Sequence, residues 1–336
     1  MRVALAGLGT TGSHLARQLR PPEVSAVQLF DIDQKRIGPV RGALDDRVDV
    51  VSAAPSSEDP PDVTVLATPT GTHRKRAEAM LRAGSHVVSL ADDPDEVESL
   101  LELHDIAVAK GLTLAVGAGF CPGLTGVLAR YADGKLDAVD AISVAKAGTA
   151  GPACARQLHR ALKQSGRDWR DGSWELRRGG SGRDLAWFPE PIGARDCYRA
   201  ALASPILLQR WFPEAQRISA RMAATRRDRF TNRLPMLRPP HRDGGPGAIR
   251  VEVRGRLQGA AETLVYGVMD HPSVAAATVA AVVAIRAGRG GGPVGAHGLA
   301  EWSDPGSILR ELHNRGVKVA AFSGQLDPSN FAPPVQ

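Results

Sequence analysis

The chain has 336 residues, more than one ordinary core takes up, so two domains are expected. Hydrophobic residues make up 43% and charged residues 23%, a balance that excludes a disordered or fibrous chain and suits a globular one. The net charge of +6 is uneven, because residues 151–250 carry 20 Lys and Arg against 9 Asp and Glu; a region of +11 attracts anions.

"MRVALAG" opens the chain as an apolar run ending in glycine, with no signal-peptide pattern ahead of it. "TTGSHLARQL" follows, with Leu15 and Leu19 at helical spacing and a stop at Pro21-Pro22. The junction between them reads Gly7-x-Gly9-x-x-Gly12. In a dinucleotide-binding turn the first glycine bends the chain, the second admits the pyrophosphate and the third lets helix and strand pack closely. Phosphate then meets the helix N-terminus, here at Thr10 and Thr11. "VSAVQLFDID" supplies a second strand and places Asp31 19 residues after Gly12, where a ribose-binding carboxylate belongs. Against this stands the plainer reading of a glycine turn and a surface Asp.

The alternation continues through "VDVV", "DVTVLATPTGTHRKRAEAMLRAGSHVVSL", one amphipathic helix over "DPDEVESLLELHDIAVAKG", and "LTLAV". Six apolar runs separated by helical patterns predict an N-terminal Rossmann domain, a doubly wound parallel sheet over residues 1–121. Ligands of such sheets lie beyond the carboxyl ends of the strands. The expected cofactor residues are therefore Gly7, Gly9, Thr10, Thr11 and Gly12 in the first turn, and Asp31 and Ile32 after the second strand. Ala67, Thr68, Pro69, Thr70 and His73 follow the fourth strand, and Leu90 and Ala91 the fifth.

After the sixth strand comes "GAGFCPGLTG", whose spacing is wrong for a second dinucleotide loop. It is expected to form the turn at the cofactor's edge. Ala118, Gly119, Phe120 and Pro122 then line the cofactor, Gly117 and Gly119 admit a ring, and Pro122 opens the next helix. Cys121 is a catalytic candidate there, with a small wall residue as the alternative. Asp92, also near this edge, is either catalytic or the cap of the helix beginning near Pro94. Cys121, Cys154 and Cys197 are odd in number and far apart, which predicts neither a disulfide framework nor a metal site.

From about residue 135 the pattern changes. "AVDAISVAKAG", "SWELRR", "AQRISARMAA", "AIRVEVRGRL" and "ETLVYGVMD" read as strands, and the short "QGA" turn points to antiparallel pairing. The expectation is a C-terminal α+β domain with a mainly antiparallel sheet over 122–290. The helices "PACARQLHRALKQ" and "HPSVAAATVAAVVAIRAG" would cover one face. The second of these is too short and alanine-rich for a membrane span, so no membrane partner is expected. "RGGGPVG" reads as a connector, and residues 291–336 as a helix-bearing segment that partly returns to the first domain. His159, on the first of those helices, is a third catalytic candidate against a surface or capping role. Arg178, Arg183, Arg226 and Arg227 flank glycine- and arginine-rich loops and are candidate ligands for substrate carboxylates, against the alternative of a solvated surface. No nucleic-acid-binding motif accompanies the basic region, so an anionic small molecule is the expected partner.

"SHVVSLADD", the helix after it and "GAGFCPGLTGVLARYA" resemble the saccharopine dehydrogenase-like family, which includes saccharopine reductases, carboxynorspermidine synthases and lysine 6-dehydrogenases. The resemblance spans the first domain and the helix beyond it, and returns in "GPVGAHGLAE". It implies a homodimer that uses NAD(P); Asp31 favours NAD, with NADP the other candidate through Arg36, and the unpaired cysteines with no signal-peptide pattern point to a reduced, cytoplasmic protein. The implied chemistry is reduction of an imine or oxidation of an amine on an amino-acid-like anion. Members commonly carry Asp-Pro-Gly where this chain has Cys121-Pro122-Gly123, so a role tied to that carboxylate does not transfer. "VTVLATPTGTHRKRAEAMLRAGSHV" also resembles the glucose–fructose oxidoreductase family, but "SLADD" stands where that family has a Glu-Lys-Pro segment with its catalytic lysine. A sugar or cyclitol dehydrogenase is therefore the second reading. A redox-neutral transferase using NAD and a non-catalytic NAD sensor complete the alternatives.

Overall fold

Val3, Ala4, Leu5 and Ala6 have no solvent exposure, the pattern of a strand covered on both faces. They belong to β1 (Arg2–Ala6), the inner strand of a seven-stranded parallel sheet. The computed structural model describes residues 1–44, 46, 48–56, 58–236 and 239–322, and they fall into two units. The first comprises Met1–Gly123 and Ser273–Leu299, the second Leu124–Pro272 and Ala300 onward.

In the first unit β1 leads through α1 (Thr10–Ala16) to β2 (Ala26–Phe30), and through α2 (Ile37–Arg41) to β3 (Asp49–Ser52). β4 (Val63–Leu66), α3 (His73–Ala83), β5 (His86–Ser89), α4 (Pro94–Leu101), α5 (His104–Ala109) and β6 (Thr113–Val116) follow. The strand order of these six, β6-β5-β4-β1-β2-β3, is doubly wound as expected, and every pair is parallel. The single helix expected over 93–111 is broken into α4 and α5, with Glu102 and Leu103 between them.

The second unit begins with α6 (Leu124–Asp133), β7 (Ala138–Ala147), α7 (Pro152–Lys163), β8 (Gly166–Arg170), β9 (Ser173–Arg177), β10 (Asp184–Trp187) and β11 (Ala194–Arg199). It continues with α8 (Ser204–Trp211), β12 (Arg217–Ala223), α9 (Arg226–Thr231), β13 (Gly247–Leu257) and β14 (Ala260–Asp270). Its nine-stranded sheet is antiparallel except where β12 runs parallel to β7. β13 and β14 close through Gln258 and Gly259, both with positive φ (52° and 81°), the two-residue turn whose twist matches a hairpin.

The chain then crosses units. α10 (Pro272–Gly288) was expected to cover the antiparallel sheet; all but its first residue lies instead in the first unit. A Cβ on Gly119 would stand 4.0 Å from Ala276, and one on Gly288 would stand 2.6 Å from Met1 Sδ and 2.8 Å from Val63. The helix thus runs from the carboxyl to the amino end of the parallel sheet. It is apolar on every side and buried along nearly its whole length, the signature of a helix with no solvent face. "RGGGPVG" then delivers β15 (Gly295–His297), which pairs with β6 as the seventh parallel strand. After Ala300 the chain belongs to the second unit again, with α11 (Pro305–Asn314) and β16 (Val319–Ala321) at the edge beside β14. Where the sequence suggests divisions at 121/122 and 290/291, the contacts of the structure divide the chain at 123/124, 272/273 and 299/300. Among the described residues no helix is long and apolar enough to cross a membrane.

Candidate functional site: the carboxyl ends of the parallel strands

Gly7 sits at φ +95°, and a Cβ there would lie 2.6 Å from the Ala67 carbonyl oxygen. At Gly12 a Cβ would lie 1.9 Å from the Gly7 carbonyl oxygen. These two glycines let the first turn fold against α1 and against the turn after β4. Gly9 differs: nothing lies within 4 Å of where its Cβ would be. Its freedom therefore serves no packing inside the chain, which is what the close approach of a pyrophosphate requires. Gly9 is also the N-cap residue of α1, so no side chain caps the first turn at Thr10 and Thr11.

Asp31 follows directly on β2 and is 4% exposed. Its Oδ2 accepts from the Leu8 N–H at 2.6 Å and its Oδ1 from the Asp33 N–H at 2.8 Å. The carboxylate thus ties the glycine turn to the β2 turn while facing the place where a ribose belongs. Arg36 Nη1 lies 3.6 Å from the same Oδ2. Ile32 beside it is 91% exposed, a large apolar side chain left in solvent.

The turns after β4 and β5 converge on one side chain. His73, 1% exposed, has Nε2 2.8 Å from the Thr68 carbonyl and Nδ1 2.8 Å from Ser89 Oγ. A carbonyl can only accept, so Nε2 carries the proton and Nδ1 receives the Ser89 hydroxyl. Ser89 Oγ in turn accepts from the Ala91 N–H at 3.2 Å, and the Ser89 carbonyl from the Ala118 N–H at 2.8 Å. Glu96, the first-turn acid of α4, accepts from the N–H groups of Gly71 and His73 with Oε1, both at 2.9 Å, and so caps α3 from a neighbouring helix. Its Oε2 is buried and, among the described residues, has no hydrogen-bond partner. Burial pushes the His73 pKa down; the Glu96 charge and the Thr68 carbonyl oppose this more weakly, and Arg76 adds to it. His73, expected among the cofactor ligands, therefore spends both ring nitrogens on the chain itself. Thr68 and Pro69 form a turn closed by the Thr72 hydroxyl, which lies 2.7 Å from both Thr68 Oγ1 and the Pro69 carbonyl; Thr70 and Leu90 complete the two turns.

The loop 117–123 curls on itself. Gly117 is at φ +70° and Gly123 at φ +110°, and a Cβ on Gly123 would lie 2.3 Å from the Gly119 carbonyl oxygen. The glycine requirement thus falls on Gly117 and Gly123, whereas Gly119 has ordinary contact distances around it. Pro122 does not open the helix as expected: Gly123 turns the chain first and α6 begins at Leu124. Ala118, Phe120 and Cys121 are buried. Asp93, and not Asp92, caps α4, accepting from the Asp95 and Glu96 N–H groups.

Candidates in the second unit stand apart from this constellation in their chemistry. His159 Nε2 donates to the Leu234 carbonyl at 2.9 Å, which anchors a loop. Arg178, Arg226 and Arg227 are exposed and, among the described residues, carry no ion pair, while Arg183 pairs with Asp196 at 2.9 Å. The arginines built into the fold are others: Arg199 on Asp168 at 2.9 Å, Arg221 on the Gly182 carbonyl at 3.1 Å, and Arg229 on the Gly180 carbonyl at 2.9 Å and over the Tyr198 ring. Burial with a nearby Asp184 charge pushes the Cys197 thiol up to about 12, which makes it inert. Among the described residues no group of three or more His, Cys, Asp or Glu could hold a metal ion.

Comparison with known families matches residues 1–118 to GFO/IDH/MocA, described as an oxidoreductase family with an NAD-binding Rossmann fold. Among solved structures, the chain shares its fold with saccharopine dehydrogenase (L-Glu forming) from Saccharomyces cerevisiae, with a TM-score of 0.67 at 13% identity over 95% of this chain and 99% of that one. Amine dehydrogenase from Mycobacterium smegmatis gives 0.52 at 13% identity over 90% and 96%. DAP dehydrogenase of C. glutamicum gives 0.50 at 16% identity over 94% and 99%. The first unit is thus an NAD-binding Rossmann domain of oxidoreductase type, which makes NAD(P) the cofactor of this chain and NAD(P)-dependent oxidoreduction its activity.

Proposed function

We propose that the enzyme transfers hydride between NAD and the C–N bond of an anionic amino-acid-like substrate, by imine reduction or amine oxidation. Support comes chiefly from the second unit, whose large mixed sheet continues the fold likeness beyond residues 1–118 along nearly the whole of saccharopine dehydrogenase, an enzyme named for an amino-acid substrate. Hydride transfer is the nicotinamide's own chemistry; the chain must hold the cofactor, orient the substrate and exclude water. Gly9 would receive the pyrophosphate, Asp31 the ribose hydroxyls and Ile32 the adenine face. Exposed Arg178, Arg226 and Arg227 remain the candidate cations for substrate carboxylates, because among the described residues their forks are not spent on the chain's own acids.

The test follows NAD(P)H absorbance with a panel of amino acids, amines with 2-oxo acids, and polyols. Turnover of an amine or of an amine with a 2-oxo acid is the expected result; turnover of polyols alone replaces this reading with a sugar or cyclitol dehydrogenase. Cys121, buried between Phe120 and Pro122, is expected to shape the wall of the site. Cys121→Ser should then keep turnover within about threefold, whereas a loss beyond about a hundredfold with the fold intact would assign it acid–base or nucleophilic work. The acting form is proposed to be a cytoplasmic homodimer, which light scattering would report as twice the chain mass of 35.5 kDa.

A further inference from the structure

We propose that His73 and Glu96 are positioning residues that act as a latch on the cofactor site, closed only while His73 is neutral. The inference rests on the dinucleotide reading of the first unit and adds a part that touches no cofactor atom.

The geometry that carries it lies in one hub. Through Nε2–H the His73 ring holds the Thr68 carbonyl; through Nδ1 it receives the Ser89 hydroxyl. Ser89 holds Ala91 with its side chain, so the turns after β4 and β5 meet on one imidazole, and the Ser89 carbonyl carries the connection on to Ala118 after β6 through a backbone bond. The Thr68 turn also bears on the first glycine turn, since a Cβ on Gly7 would fall 2.6 Å from the Ala67 carbonyl and 2.9 Å from Thr68 N. A shift of Thr68 is therefore felt where the pyrophosphate is expected. Glu96 fixes the other end of the same turn, at Gly71 and at the His73 amide.

A proton on Nδ1 breaks this arrangement. The Ser89 hydroxyl already accepts from the Ala91 N–H and donates to Nδ1; with an imidazolium it must accept twice, and its own proton loses its buried acceptor. The charged groups facing the ring are Glu96 from α4 and Arg76 from α3; Arg74 on α3 is turned to Glu102, and β5 and the 68–72 turn contribute none at this end. Burial outweighs the Glu96 attraction, so the folded ring titrates below the ordinary imidazole range. The closed latch is therefore intact at neutral pH and is lost as pH falls through the lowered folded value, a direction opposite to that of a paired histidine.

The experiment measures Kd for NAD and for NADP by titration calorimetry from about pH 8 to about pH 5, with melting temperatures alongside. Wild type should weaken about tenfold over that range. His73→Gln keeps a donor for the Thr68 carbonyl and cannot titrate; it should bind within about threefold of wild type at pH 8 and lose the pH dependence. Glu96→Gln removes the charge that favours the imidazolium, so the fall should move to lower pH. His73→Leu should bind poorly at every pH; if it fails to fold, the two amide variants decide. A pH response in His73→Gln equal to that of wild type, or a flat wild type, overturns the latch. No binding of either dinucleotide by wild type at pH 8 overturns the dinucleotide reading itself, and the latch with it.

Discussion

Gly9→Ala should fold as the wild type does and lose NAD, whereas Gly12→Ala should lose stability first. The contrast follows from what each new methyl meets. Gly9 lies at φ −69°, which alanine adopts freely, and its Cβ would meet nothing within 4 Å. The methyl therefore projects into space reserved for a ligand, and Kd for NAD should rise by about tenfold or more, roughly 1.4 kcal/mol. At Gly12 the methyl would stand 1.9 Å from a backbone oxygen of Gly7, an overlap that only movement of α1 relieves. Overpacking of this kind costs about 1–3 kcal/mol. Melting temperature and NAD affinity measured on both variants separate the two effects; unchanged NAD binding in Gly9→Ala would remove the pyrophosphate from this turn.

Asp31→Ala should carry the second large effect. The Leu8 and Asp33 N–H groups lose their acceptor, which costs about 1–3 kcal/mol where the group stays buried. A ribose hydroxyl loses its acceptor at the same time, and NAD should weaken more than NADP. Arg36 is half exposed; its Nη1, 3.6 Å from the missing carboxylate, is released in the variant to meet a 2′-phosphate, while its Nε keeps Asp33 at 3.3 Å. Equal loss of both cofactors, or a native preference for NADP, would refute this assignment.

The parallel sheet was legible because its strands are buried on both faces and read as unbroken apolar runs such as "RVALA" and "VTVL". β8, β10 and β11 were not, because "GRDWR", "DLAW" and "ARDCYR" carry charges that face solvent or pair across the sheet, as Arg199 does with Asp168. β15 has three residues, too few for any periodicity. α10 was legible as a buried helix, but a helix apolar all round has no stripe to say which sheet it covers. The glycine turn and Asp31 follow from spacing alone. His73 and Glu96 do not, since Glu96 reads as an ordinary first-turn acid and reaches residues 25 and 23 positions away. The four arginines chosen for local density proved to be the exposed ones. Of those the fold uses, Arg199 and Arg221 sit singly on strands, while Arg229 lies on α9 two residues after Arg227, in the same dense run.

The return of β15 to the parallel sheet has a consequence for synthesis of the chain. β6 is fully buried, yet its outer edge is covered by a strand made about 180 residues later. At about 5–20 residues per second a ribosome needs about 10–35 s to supply it. Through that interval a nascent first unit presents bare backbone donors and acceptors along Thr113–Val116, a template for pairing with another chain. Fast production should therefore favour aggregates seeded at this edge, and a fragment ending near residue 123 should share the fault permanently. Supplying residues 273–299 as a separate peptide would then be expected to rescue such a fragment's solubility.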